Sequence, residues 1–191
     1  MIMLVILFVI ITIVTLRTNT MNFIKNITLK QFTYFTLQVL LIIAVYFGVK
    51  TYTQRNLAQD IPPTLSATLL SGQAFNLQAQ RDKPLLLHFW ATWCPVCKLE
   101  QSSIQSISNK HNVITVAMQS GDKAELNSYM HNEKLSFPVI VDNDGAITNR
   151  FGIQAVPVSF IINTEGKIVF IESGFTSSWG LKLRLWLANF L

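Results

Sequence analysis

Cysteine is almost missing from this chain: two in 191 residues, Cys94 and Cys97. A tetrahedral zinc site needs four ligands. No second Cys-x-x-Cys and no His-x-x-x-His is present, and the three histidines, His88, His111 and His131, are scattered, so no metal site is predicted. Charge is also sparse, at 13% of residues, with a formal net charge of +5. That excess is not a basic patch. Residues 1–49 hold Arg17, Lys25 and Lys30 and no acid, whereas the rest of the chain is nearly balanced. Without a clustered Lys/Arg stripe, nucleic acid is not an expected partner. Internal repeats and low-complexity segments are lacking as well, and residues 61–191 suit one domain with a single core.

Long apolar runs are abundant at the N-terminus. Met1–Leu16 is almost wholly apolar but short for a bilayer span, which needs about 17–25 residues. Phe32–Val49 is uncharged and carries aromatic residues near both ends, so residues 32–49 are predicted to be a single transmembrane anchor. Lys25 and Lys30 precede it, which places residues 17–31 in the cytoplasm and everything after Lys50 outside. A cleaved signal peptide is the alternative, but Gly48-Val49-Lys50-Thr51-Tyr52 offers no small-x-small cleavage site. Met21 would also serve as a start, leaving a short basic lead before the span, with residues 1–20 either upstream sequence or a first short span. The expected organisation is a lead over 1–31, the anchor over 32–49, a tether over 50–63 ending in Pro62-Pro63, and a domain over 64–191. An exported domain meets a compartment that permits disulfides.

Within the domain, Thr64–Leu70 and Phe75–Leu77 are predicted as an opening hairpin around Ser71-Gly72-Gln73. Leu85–Ala91 is apolar without alternation, as in a strand covered on both faces. A helix with Leu99, Ile104 and Ile107 as its apolar positions follows, ending near 109–112, then a strand over Val113–Met118. Strand, helix and strand at this spacing imply a right-handed crossover and parallel neighbours. Asp122 and Glu125 have capping-box spacing before a helix facing inward through Leu126, Tyr129 and Met130. A strand over Phe137–Val141, a brief helix ending at Gly152, and strands over Val158–Asn163 and Ile168–Ser173 around Thr164-Glu165-Gly166-Lys167 come next. The last helix carries Trp179, Leu183, Trp186, Leu187 and Phe190 on one stripe, with Ser177 or Ser178 as N-cap. The sum is an α/β fold: a mixed sheet of about five strands with helices on both faces.

Trp93-Cys94-Pro95-Val96-Cys97 sits where the buried strand passes into the helix. Two thiols three residues apart at a helix start can close on each other, and the unpaired N–H groups there favour thiolate. Pro95 suits N1, where its missing N–H costs nothing. The pair has three candidate roles: redox couple, part of a metal site, or static disulfide. A structural bridge closing so small a loop stabilises little, and position favours the redox role. Cys94, at an exposed helix tip, is then the attacking thiol and Cys97 the resolving one. Trp93 either packs beside the site, limiting water, or merely shields the helix end. Pro157, from the residues alone, is an ordinary trans proline opening a strand.

Phe89-Trp90-Ala91-Thr92-Trp93-Cys94-Pro95-Val96-Cys97 resembles the active-site segment of the thioredoxin superfamily. The likeness is closest to its membrane-anchored bacterial branch typified by TlpA and ResA. Phe137–Asp142 and Phe151–Pro157 match that branch's later landmarks, and the Cys-Pro-Val-Cys motif with the ending Trp179–Leu187 is most similar to the suppressor-of-copper-sensitivity D type. The resemblance implies a thioredoxin-like three-layer sandwich and a protein thiol–disulfide oxidoreductase needing no bound cofactor. It implies protein thiol or disulfide clients, a transmembrane electron carrier as partner, and a periplasmic catalytic domain held at the bacterial inner membrane. It makes Pro157 a cis proline, with the Val156 backbone pairing with an extended client. His88 departs from the pattern, since thioredoxin carries a buried Asp at that place. It would accept the Cys97 proton, favour its thiolate if charged, or be a core histidine bonded to backbone. The uncharged Pro95-Val96 pair departs from cytochrome-maturation relatives and favours a broader client. The same chemistry in the oxidising direction and a copper-binding chaperone on this scaffold are the alternatives.

Overall fold

The computed structural model describes residues 29–191; the Met1–Leu16 run, the alternative start at Met21 and most of the basic lead lie outside them. The chain divides into two units, 1–49 and 50–191. In the first, helix α1 begins at Leu29 and continues to Gln54, and its stretch Gln31–Val49 is long and apolar enough to cross a membrane. Nineteen residues at 1.5 Å each span about 28 Å, close to a bilayer's hydrocarbon thickness.

In the second unit, residues 50–63 differ from the expected tether. The helix persists to Gln54, and Leu57 is buried in the core. The Ala58 N–H donates to the Phe151 carbonyl at 2.9 Å. Gly152, at φ +71°, packs directly on the Asn56 backbone, where any Cβ would collide with the Asn56 carbonyl oxygen. An apolar residue at 57 and a glycine opposite thus draw this stretch into the domain.

Strands β1 (Ser66–Thr68) and β2 (Ala74–Asn76) form the opening hairpin, with register Ala67 to Phe75. The central sheet comprises β3 (Leu85–Trp90), β4 (Asn112–Met118), β5 (Val139–Asp142), β6 (Val158–Ile162) and β7 (Ile168–Ser173) in the order β5-β4-β3-β6-β7. β3 pairs parallel with β4 and antiparallel with β6, so the sheet is mixed. All six residues of β3 are buried, as its unbroken apolar run requires. Helix α2 (Pro95–Ser108) crosses from β3 to β4. Helix α3 (Lys123–Asn132) starts with the expected capping box: Asp122 Oδ1 accepts from Ala124 and Glu125, and Glu125 Oε2 accepts from the Asp122 N–H. Helix α4 (Ala146–Arg150) follows β5, and α5 (Ser178–Leu187) closes the chain, capped by Ser177.

The sheet separates two cores. On one face Phe89, Phe151 and Phe160 stack with Leu57, Leu65, Phe75 and Leu77 under the hairpin and α4. On the other, Leu86, Trp90, Ile104, Ile107, Leu126, Leu181 and Leu185 pack under α2, α3 and α5. This is the expected three-layer α/β arrangement, with two local corrections. Leu99 is exposed, and the inward face of α2 is Cys97, Glu100, Gln101, Ile104 and Ile107. In α5 the expected stripe points outward. Trp179, Trp186 and Phe190 are more than half exposed, while Leu181, Leu185 and Ala188 are buried. Both sets recur at helical spacing, so periodicity alone does not choose between them.

Candidate functional site

β3 runs from a fully buried strand into Thr92-Trp93, and the chain turns there into α2. Cys94 is the N-cap of α2, in extended conformation, rather than a residue of its first turn. Pro95 occupies N1, as expected. Cys94 and Cys97 are joined in a disulfide, their Cα atoms 5.3 Å apart. The Cys97 N–H donates to Cys94 Sγ at 3.1 Å, so this sulfur takes the place of the side-chain oxygen of an ordinary helix cap. One orphan donor and the positive end of α2 thereby point at the first sulfur. The same arrangement favours negative charge on Cys94 once the disulfide opens.

Cys94 is only 4% exposed and Cys97 1%, so the helix tip is more enclosed than expected. The enclosure comes from the loop before β6. The Val156–Pro157 peptide is cis, and the Val156 carbonyl oxygen lies 3.6 Å from Cys94 Sγ. Pro157 is buried and Val156 half-buried beside the sulfur. Trp93 is 56% exposed, so its ring does not seal the site; its indole N–H donates to the Gln119 carbonyl at 3.0 Å. Ser120 Oγ accepts from the Thr92 N–H at 3.0 Å, tying the turn after β3 to the loop after β4. Gln119 and Ser120 carry no sequence signal for this role, because the parallel β3–β4 pairing alone brings their loop to the dithiol.

His88 lies on the sheet face that α2 covers, in register with Ser159 of β6, and its Nδ1 is 2.9 Å from Ser159 Oγ. Its partner is a hydroxyl rather than the backbone. Burial lowers the imidazole pKa to about 4, so it is neutral at pH 7. The charged role considered for it is therefore removed, and burial also leaves it a weak acceptor for a thiol proton.

Glu100 was missed by sequence reasoning. It sits one turn beyond Cys97 on the same inward face, is 2% exposed, and accepts a short hydrogen bond from the Thr176 N–H just before α5. Burial raises its carboxyl to about 7, against the lowering effect of that bond. The available signal is spacing: an acid at i+3 from Cys97 and four residues before Ile104 stands on an apolar stripe. Among the described residues, no group of three or more His, Cys, Asp or Glu is placed to hold a metal.

A cysteine pair at a helix N-terminus, beside the Val156 carbonyl and on the sheet face that also carries a neutral imidazole and a poised carboxyl, has the parts for thiol–disulfide exchange. Comparison with known proteins agrees. The redoxin family model matches residues 57–178. A thioredoxin-like protein of Haemophilus influenzae is 30% identical over 156 residues, 81% of this chain and 93% of that protein. The thiol-disulfide oxidoreductase ResA of Bacillus subtilis is 31% identical over 109 residues, covering 54% of this chain and 60% of its own. The crystal structure of StoA from Bacillus subtilis superposes with a TM-score of 0.55 at 25% identity, over 64% of this chain and 96% of StoA.

Proposed function

Since the chain belongs to the redoxin family and is a thioredoxin-like thiol–disulfide oxidoreductase, we propose that it is a membrane-tethered, extracytoplasmic reductase of protein disulfides. The carrying observation is the sulfur of Cys94 capping α2, with the Cys97 N–H aimed at it. In the reduced protein, Cys94 thiolate attacks one sulfur of a client disulfide and expels the other as a thiolate. Cys97 then loses its proton and attacks Cys94. The client leaves with both sulfurs reduced and Cys94–Cys97 is oxidised, two electrons having passed to the client. Val156, with its backbone beside the sulfur, and Pro157 form the ledge for an extended client segment. Trp93 and Pro95 border that approach. His88, held by Ser159, supports the site from the sheet, and the Cys97 proton passes to the Glu100 carboxylate one turn along α2.

What surrounds the sulfur supports this direction. Strongly oxidising relatives owe their potential to a heavily stabilised thiolate. Here Cys94 receives one backbone N–H, the intervening Pro95 and Val96 are uncharged, and His88 is neutral. An ionised Glu100 adds negative charge one turn away. These features temper the thiolate and favour the reductant. Gln31–Val49 is the anchor, and Lys25 and Lys30 before it orient the domain outward to the periplasmic side of an inner membrane. A reductant in an oxidising compartment needs electrons from within, hence a transmembrane carrier as donor. The finer likeness to the suppressor-of-copper-sensitivity D type belongs to the same reading.

Acid quenching of cells followed by thiol labelling tests the direction: a mostly reduced Cys94–Cys97 pair is expected, and a mostly oxidised one contradicts the reductase. In the same cells Cys97→Ala is expected to accumulate mixed disulfides through Cys94.

A further inference from the structure

Helix α5 is apolar on two sides. Leu181, Leu185 and Ala188 face the core, whereas Trp179, Leu183, Trp186 and Phe190 face out, at 74%, 39%, 57% and 71% exposure. A helix apolar all round is ordinarily buried all round. Trp186 and Phe190 stack edge to face with ring centroids 5.0 Å apart, so the outward aromatics form a patch rather than isolated residues. Charge within this last stretch of sequence has one sign. From Gly174 to Leu191 the chain has Lys182 and Arg184 and no acid. Arg184 is paired with Glu172 at 2.8 Å. Lys182 and Lys110 both disfavour charge on the His111 imidazole, whose pKa burial has already lowered. Exposed tryptophan and phenylalanine flanked by lysine is the composition of a helix lying in a membrane interface, indole rings at headgroup depth and cations toward anionic lipid.

The end of α1 lies beside the strand that α5 meets: Gln54 Nε2 donates to the Ile171 carbonyl of β7 at 3.1 Å, and the next residue, Glu172, pairs with Arg184 of α5. Only eight residues lead from Val49, the end of the apolar stretch, to Leu57 in the core. Residues 50–54 continue α1 and the last three leave it, so together they reach at most about 18 Å, less than the roughly 35–40 Å diameter of a domain this size. The domain is thus held at high effective concentration beside the bilayer, where even a weak interfacial contact is populated.

We propose that the outward stripe of α5 is a second membrane contact, docking the domain on the anionic lipid surface. It rests on the reading that Gln31–Val49 spans the bilayer. Since Thr176, at the entry to α5, bonds Glu100 on the dithiol helix, such docking keeps the redox end close to the surface, where a membrane-embedded electron donor presents its own thiols.

The four tryptophans are Trp90, Trp93, Trp179 and Trp186, and none lies in the apolar stretch. Full-length protein is reconstituted in phosphatidylethanolamine–phosphatidylglycerol vesicles with or without shallow-brominated phosphatidylcholine, which quenches indoles in contact with it. Flotation with the vesicles and loss of up to about half of the emission, the share of two indoles in four, are expected. Trp179→Phe/Trp186→Phe should remove most of the quenching, and Trp93→Phe should leave it. Leu183→Lys keeps both reporters but charges the stripe, and should lose the quenching too. Flotation without quenching overturns the proposal while leaving the anchor intact, as does quenching that survives the double substitution. A cross-linked dimer with unquenched indoles overturns it in favour of a second copy. Failure to float removes the anchor reading, and this proposal with it.

Discussion

The two faces of the sheet solve different problems. Under the hairpin and α4, the core is hydrocarbon apart from the buried Asp142 carboxylate at the start of α4, which accepts from Ile147 and Thr148; Phe160 touches Phe89 and Phe151 at centroid distances of 5.8 and 5.4 Å. Under α2, the same strands bring in polar groups. His88 meets Ser159, the Trp90 indole donates to Thr115 Oγ1 at 3.1 Å, Gln101 donates to the Tyr129 hydroxyl at 2.8 Å, and Glu100 is held by Thr176. Strand alternation makes this division possible, since neighbours in β3 point to opposite faces. The dry face carries stability. The polar face, whose buried groups must each be satisfied, carries the environment of the dithiol.

Substitutions can break that division in order of size. Phe160→Ala on the dry face should cost about 3–5 kcal/mol in denaturant unfolding, with the dithiol of the folded fraction reacting as before. An altered alkylation profile in this variant would show that the faces are not separate.

His88 and Glu100 should tilt stability in opposite directions over nearly the same pH range. The native state resists protonating His88 down to about 4, whereas the unfolded chain takes that proton near 6.5. Stability from this group is present above 6.5 and is lost as pH falls to about 4, on the order of 3 kcal/mol. His88→Asn should abolish that acid-side loss, measured as unfolding midpoints against pH. Glu100 works the other way. The native state keeps its proton up to about 7, whereas the unfolded chain releases it near 4.5, so stability declines as pH rises between them. Glu100→Gln retains an acceptor for Thr176 and should be more stable than the parent above pH 7. Both variants should also change how Cys97 alkylation depends on pH, which Phe160→Ala should not. The smallest effect is expected at Thr115→Val, which orphans the Trp90 indole N–H and should cost about 1–3 kcal/mol without moving the alkylation profile.

The same division explains what could be read in advance. The dithiol turn, the buried strand leading to it, the capping box at Asp122–Glu125 and the hairpin at Thr164–Lys167 are local patterns, and local chemistry fixes them. The inward side of α5 is not local: Leu181, Leu185 and Ala188 compete with Trp179, Leu183 and Trp186 at equal spacing, and packing against α2 decides between them. Leu57 is drawn into the core by a glycine almost a hundred residues later. Glu100 hides because a glutamate on a helix is usually a solvated one, and only the arrival of Thr176 from the far end of the chain buries it. His88 was legible as a position, but its partner Ser159 depends on antiparallel register.

The central claim, that the cap of α2 turns Cys94 into the reacting sulfur, is tested most directly by the alkylation rate of Cys94 against pH in the reduced protein. An inflection clearly below the about 8.5 of free cysteine is expected. An inflection at or above that value, with Cys97 reacting equally fast, would contradict it.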